Sequence, residues 1–177
     1  MLRGVSLHLA SQVHTVSVIA RRRPRLHNVA QEAHLLAGHI NPIQVDYQNG
    51  ALLRVKIEEA VNTFGPVTLA VCWVHSIVPQ APYIVAESIG RGPSVCRYFD
   101  VRGSAAADPA HPEPQREVSF QQFTYILYRR IILGFVLGNG ASRWLTNDEI
   151  STGVIHAIER DTACYVVGTV HPWSARP

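Results

Sequence analysis

The chain has 177 residues, enough for one domain with a substantial core and too short for two comfortable ones. Apolar residues make up 47% and charged ones 16%, a balance that excludes global disorder. The formal charge is +3, and one residue of the sixteen basic ones, Lys56, is lysine. The only local basic patch is Arg21-Arg22-Arg23 with Arg25. A nucleic-acid surface calls for a broader stripe with interleaved aromatics, so no nucleic-acid partner is expected. No apolar run reaches the roughly 18 residues of a membrane span, and no signal peptide is read after Met1. A cytoplasmic protein without a membrane partner is expected. Cys72, Cys96 and Cys164 are odd in number, lack a C-x-x-C pair and sit in apolar runs, which predicts buried free thiols. The nine histidines are scattered, so no metal site is expected.

In chain order, Val5 to Ser11 reads as a helix and Thr15 to Ile19 as a strand. Pro24 to Leu36 reads as a second helix, with proline favourable in its first turn, and Ile40 to Asp46 as a strand. Ala51 to Phe64 predicts a helix with Leu52, Val55, Ala60 and Phe64 toward one side, stopped by Gly65-Pro66. The near-continuous apolar run Val67 to Val74 predicts a strand buried on both faces. Pro82 to Ile89 is a weaker helix, leading through Gly90-Arg91-Gly92-Pro93 into a strand at Val95 to Val101. Ala105 to Gln115, with three prolines, reads as a surface loop. Tyr125 to Val136 contains a strand, Asn147 to Arg160 is a helix and Tyr165 to Val170 a last strand. This alternation predicts one α/β domain over residues 1–177, a mainly parallel sheet with helices on both faces.

Three stretches resemble the short-chain dehydrogenase/reductase family. His14 to Arg21 is similar to the family's second strand, which ends in a basic residue. Gln44-Val45-Asp46-Tyr47 resembles its third strand, ending in an Asp near the adenine. Arg143 to Ile150, then Val154-Ile155 and Tyr165 to Gly168, follow its late order of threonine, acidic pair, helix, strand and glycine. In order they span residues 14–168, nearly the whole chain. The resemblance implies a Rossmann-like three-layer sandwich. It places Met1 to Gly4 at the end of a glycine-rich turn whose first β-strand is missing from the chain. That strand would lie between those at Thr15 and Val67. Without it the two are expected to be gapped or re-paired, the helix at Val5 poorly anchored and dinucleotide binding weak.

The family's chemistry uses a tyrosine, a lysine that lowers its pKa, and a serine that orients the carbonyl. Lys56 lies in an early helix, so no Y-x-x-x-K exists. Tyr125 and Arg129 repeat the four-residue offset, but on a strand and with a guanidinium that stays charged. Ser104, in Gly103-Ser104-Ala105, falls where the resemblance implies the catalytic serine; as a plain turn residue it would cap nearby amides. His75-Ser76 closes the strand whose end lines the cofactor in the family, and a histidine there can shuttle protons. Arg21 and Arg22 follow the strand that reads the ribose. With no acid beside them in sequence, NADP is favoured over NAD. Asp46 would accept the adenine amino group and Tyr47 flank the ring, with Gly4 at the pyrophosphate. Trp73, Trp144 and Trp173 read as core or interface residues. Two functions stand open: an atypical NADP-dependent oxidoreductase of the short-chain dehydrogenase type, or a truncated form of one, acting on a small carbonyl substrate; or a non-catalytic NAD(P)-binding or sensing module. The apolar late strand and Trp-bearing C-terminus also leave room for a homo-oligomer.

Overall fold

A computed structural model describes residues 1–12, 14–89, 95–111, 114–138 and 141–177. The expected segment Gly90-Arg91-Gly92-Pro93 lies outside them, as does Pro112 of the expected loop. The elements run α1 (Arg3–Ser11), β1 (Thr15–Ala20), α2 (Arg23–Glu32), β2 (His39–Gln44), α3 (Gly50–Phe64), β3 (Leu69–Trp73), α4 (Ala81–Ile89) and β4 (Cys96–Gly103). Then come α5 (Pro114–Phe120), β5 (Ile126–Leu133), β6 (Phe135–Gly138), β7 (Ala141–Trp144), α6 (Asn147–Arg160) and β8 (Cys164–Val167). None of the described helices is long and apolar enough to cross a membrane.

The strands β3-β4-β5-β8 form one sheet, all neighbours parallel. Alternation along β4 sorts its side chains to two faces. Phe99 and Val101 join α1 and α6 in one core, while Cys96 and Tyr98 join α3, α4 and Phe120 of α5 in the other. This is the three-layer α/β arrangement, with helices on both faces. β1 and β2 pair in parallel as a separate sheet, with Pro42 on the outer strand, where its missing N–H is tolerated. Among the described residues no ladder joins β1 to β3; β1 pairs with β2 and β3 with β4, so the two strands are not re-paired with each other. The helix α1 is anchored nevertheless, against expectation. Val5 and Ala10 are buried, and α1 packs on α6, α2 and β1. Gly4 permits that approach, since a Cβ there would meet the Ser151 Cβ at 2.8 Å.

Several local expectations are corrected. On α3 the buried residues are Leu53 and Ile57, while Leu52, Val55 and Phe64 are exposed. In β3 only Cys72 is fully buried, because the strand is paired on one side alone. The stretch from Ala105 to Gln115 is not all loop: a 3-10 turn spans Ser104–Ala107, and α5 begins at Pro114. β6 and β7 form an antiparallel hairpin that the strand–helix alternation does not foresee. Cys72 and Cys96 are buried free thiols, burial pushing each up to about 12, but Cys164 is exposed.

Among the described helix ends, the start of α6 is the most completely specified. Thr146 Oγ1 accepts from the Glu149 amide, and the Glu149 carboxylate accepts from the Thr146 amide at 2.8 Å, a full capping box. Arg143 adds two bonds of 2.8 Å to that carboxylate. Bonding to Arg143 first, and to the Thr146 amide second, holds the Glu149 carboxyl at about 2, below its ordinary 4.5. A depressed acid stabilises the fold above its unfolded pKa, and the contribution fades as pH falls through the folded one. Between pH 4.5 and 2 the melting temperature of the protein should therefore fall more steeply than that of Glu149→Gln. Parallel circular-dichroism melts across that window would show the carboxylate has no such part.

Candidate functional site

The C-terminal ends of β3 and β4 open onto two adjoining cavities that share Trp73, Gly103 and Ala105. Strand ends of a parallel sheet are where ligands sit, because the loops diverge there and leave a crevice. The first cavity, about 290 Å³, also takes in Ser104, Leu133, Trp144 and Arg176. The second, about 490 Å³, also takes in His75, Ser76, Arg102 and Arg116. Thus three sequence candidates, His75, Ser76 and Ser104, are brought to neighbouring walls.

Ser104 is buried, at 4% exposure, in the first turn after β4. Its hydroxyl makes no cap bond to that turn; instead it accepts from Arg176 Nε at 2.8 Å. The Arg176 guanidinium lies 5.2 Å from the Trp144 ring centre and 5.3 Å from that of Trp173, a cation–π arrangement on both rings. Trp144 thus lines the first cavity, and Trp173 holds the other face of the Arg176 guanidinium; neither is fully buried in the core. Trp73 is half-buried, with the His75 ring 6.0 Å away.

Beneath the second cavity lies a polar cluster that the sequence reading misses. Asp100 is 1% exposed in the middle of β4, opposite Cys72 on β3 and Arg130 on β5. Arg116 of α5 donates to both its oxygens, Nε to Oδ2 at 2.5 Å and Nη2 to Oδ1 at 2.8 Å. Tyr128 donates its hydroxyl to Oδ2 at 2.8 Å. Burial pushes the Tyr128 phenol up, and the neighbouring Asp100 charge adds to this. For Arg116 burial acts the other way, and its bonds and charge pairing with Asp100 outweigh it, leaving the guanidinium more basic than usual. The cluster fixes α5 against the sheet and presents Arg116 at the cavity wall.

The other candidates gather at the ends of β1 and β2. Arg21 Nη1 lies 3.7 Å from Asp46 Oδ2, both side chains well exposed. The sequence expectation of no acid beside the arginines is thus corrected, because parallel pairing of β1 with β2 brings the two ends together. Arg22 precedes α2 in extended backbone, and Tyr47 packs partly against the core. Gly4 falls inside the first turn of α1 rather than in a loop. That helix start has no side-chain cap and no acid in its first turn, so its field is open to an anion.

Two alternatives are disposed of. Arg129, on β5, bonds Asp161 at 3.0 Å, and Tyr125 packs at the start of the same strand against Phe123, away from the cavities. Lys56 pairs with Glu59 on the exposed side of α3. Among the described residues no cluster of His, Cys, Asp or Glu could hold a metal.

No protein-family model matches the chain, and no curated protein matches it. Solved structures do. A short-chain type dehydrogenase/reductase from Mycobacterium ulcerans superposes with TM-score 0.71 at 12% identity, over 93% of this chain and 82% of that one. A short chain dehydrogenase from Burkholderia cenocepacia, solved with NADP, gives 0.70 at 10% identity, over 93% and 90%. An NADH-dependent reductase solved with NAD gives 0.72 at 11% identity, over 94% and 89%. At these identities the likeness is one of fold: the chain has the Rossmann-like α/β fold of short-chain dehydrogenase/reductase structures.

Proposed function

We propose that this chain binds a nicotinamide dinucleotide across the C-terminal ends of its parallel strands, NADP before NAD, and acts as an atypical oxidoreductase on a small carbonyl compound. The carrying observation is positional. Arg21, Asp46, His75, Ser76 and Ser104 come from four different strands, and each follows the C-terminal end of its own. Arg21 and Arg22 suit the ribose phosphate, Asp46 the adenine amino group, Tyr47 the ring, and the uncapped start of α1 at Gly4 the pyrophosphate. When bound, the dinucleotide would supply or accept the hydride. Ser104 can donate its hydroxyl hydrogen to a carbonyl oxygen while still accepting from Arg176. His75 is placed to hold or move a proton at the same end.

A second reading, binding without turnover, is favoured by one contact: Arg176, held between two indoles, already bonds Ser104 at the wall of the first cavity. Calorimetric titration with NADP and NAD, followed by NADPH oxidation assays over a panel of small aldehydes and ketones, separates the two. Saturable NADP binding with turnover that drops in Ser104→Ala supports the first. Binding with no turnover in either protein supports the second. Failure of both dinucleotides to bind would remove the common ground of both.

A further inference from the structure

We propose that the segment 172–176, after β8, is an autoinhibitory latch on Ser104, closed by Arg176 and opened when that guanidinium leaves the hydroxyl. It rests on the reading above for what the latch controls, and it names how access to that site is regulated.

Ser104 lines the first cavity yet is only 4% exposed, with Arg176 Nε donating to its Oγ at 2.8 Å. Arg176 lines the same space, so a carbonyl compound approaching the hydroxyl competes with the guanidinium for it. The hold on Arg176 is of a reversible kind. Besides the hydroxyl, its cation meets the indoles of Trp144 on β7 and Trp173 on the segment itself, both partly exposed. These partners are neutral, and water replaces them at modest cost to an arginine near the surface. Arg116 makes the contrast: it is tied by two bonds to the buried carboxylate of Asp100. Asp108 feels the Arg176 charge, but its own bonds go to the Ala110 amide and the His111 ring. Nothing deeper fixes the segment's middle, since the 3-10 turn Trp173–Ala175 contains no buried residue. Its near end is pinned at Thr169, whose backbone exchanges two bonds of 2.9 Å with Phe135. The segment can therefore swing about that pin once Arg176 lets go. Closed, the chain keeps Ser104 from a ligand in the first cavity; open, the hydroxyl is free to donate. The contact that favours binding without turnover thus becomes a switch between the two readings.

The test is chemical access to position 104 in the full chain. Ser104→Cys, made together with Cys164→Ser to remove the exposed thiol, is alkylated with iodoacetamide and the sites are mapped by mass spectrometry. Labelling follows the open population when closing is fast. Adding Arg176→Ala should speed labelling at 104 about tenfold, as expected on losing a bond from a charged donor, and Trp173→Ala a few-fold, as expected on losing one ring contact. Cys72 and Cys96 are buried and should stay unlabelled throughout. An unchanged rate at 104 in both variants overturns the latch, and so does a gain shared equally by Cys72 and Cys96, which marks general loosening. If Arg176→Ala does not fold, Trp173→Ala decides alone. No dinucleotide enters this assay, so failure of NADP to bind sinks the reading above and leaves the latch standing. Where turnover is found, Arg176→Ala with Ser104 intact should raise it; a fall overturns autoinhibition and makes Arg176 a positioning residue for the hydroxyl.

Discussion

Arg116→Ala is expected to destabilise the protein by about 3–5 kcal/mol, the cost of stranding a buried charge. Asp100 is 1% exposed, and the three bonds it accepts come from Arg116 and Tyr128. Deleting the guanidinium leaves a buried carboxylate with one hydroxyl donor. For a domain whose total stability is of order 5–15 kcal/mol, that is about a fifth of the whole or more. The same physics makes the pair poor evidence of net stabilisation, because desolvating both ions offsets most of their attraction. Replacing both partners by apolar residues of similar size, Asp100→Leu with Arg116→Met, should therefore recover most of the loss while removing one guanidinium from the cavity wall. Urea denaturation of the single and double variants checks both statements. A loss under about 1 kcal/mol for Arg116→Ala would mean that Asp100 has another way to be satisfied.

How far these features are legible in sequence depends on the distance over which they are decided. The start of α6 is decided within four residues: Thr146 and Glu149 close a capping box wherever the helix is put, so Asn147 to Arg160 is read correctly. The end of α3 at Gly65, at φ 90, is local in the same sense. The buried face of α3 is not. Leu52, Leu53, Val55, Ile57, Ala60, Val61 and Phe64 surround that helix with apolar side chains, so periodicity selects no face. Packing on α4 selects Leu53 and Ile57. The hairpin of β6 and β7 had a signal, Asn139-Gly140 between short apolar runs, which the stronger strand–helix alternation hides. The site divides the same way. His75, Ser76 and Ser104 are recognisable because each ends a strand. Arg116 and Arg176 are not, since their partners lie 16 and 72 residues away. Asp100 alone gave a hint, a carboxylate inside the apolar run from Cys96 to Val101, and a charge there implies a buried partner of opposite sign.

The pair at the ends of β1 and β2 yields the other large effect. Arg21→Ala together with Arg22→Ala should weaken NADP binding by roughly a hundredfold and leave NAD binding nearly unchanged. A 2′-phosphate offers oxygens that a free hydroxyl lacks, and each hydrogen bond between charged partners is worth about 1.5–3 kcal/mol. Two would give more than a hundredfold, but Arg21 is 57% exposed, so solvent and salt reduce the gain toward the lower figure. Asp46 sets the sign of a further test. At 3.7 Å it draws on the Arg21 charge, though an exposed pair of this kind is worth only about 0–1 kcal/mol. A phosphate carrying nearly two negative charges can outcompete it. Asp46→Asn removes the competitor and a like charge near the phosphate, so NADP affinity should rise a few-fold while the fold is unaffected. The Asn amide oxygen can still accept from the adenine amino group, so NAD binding should be unchanged; weakening of NAD and NADP alike would mean that this bond needs the carboxylate charge. Parallel titrations of both dinucleotides against the wild type, the double arginine variant and Asp46→Asn resolve these outcomes. A preference for NADP that survives loss of both arginines would take the basic patch out of cofactor selection.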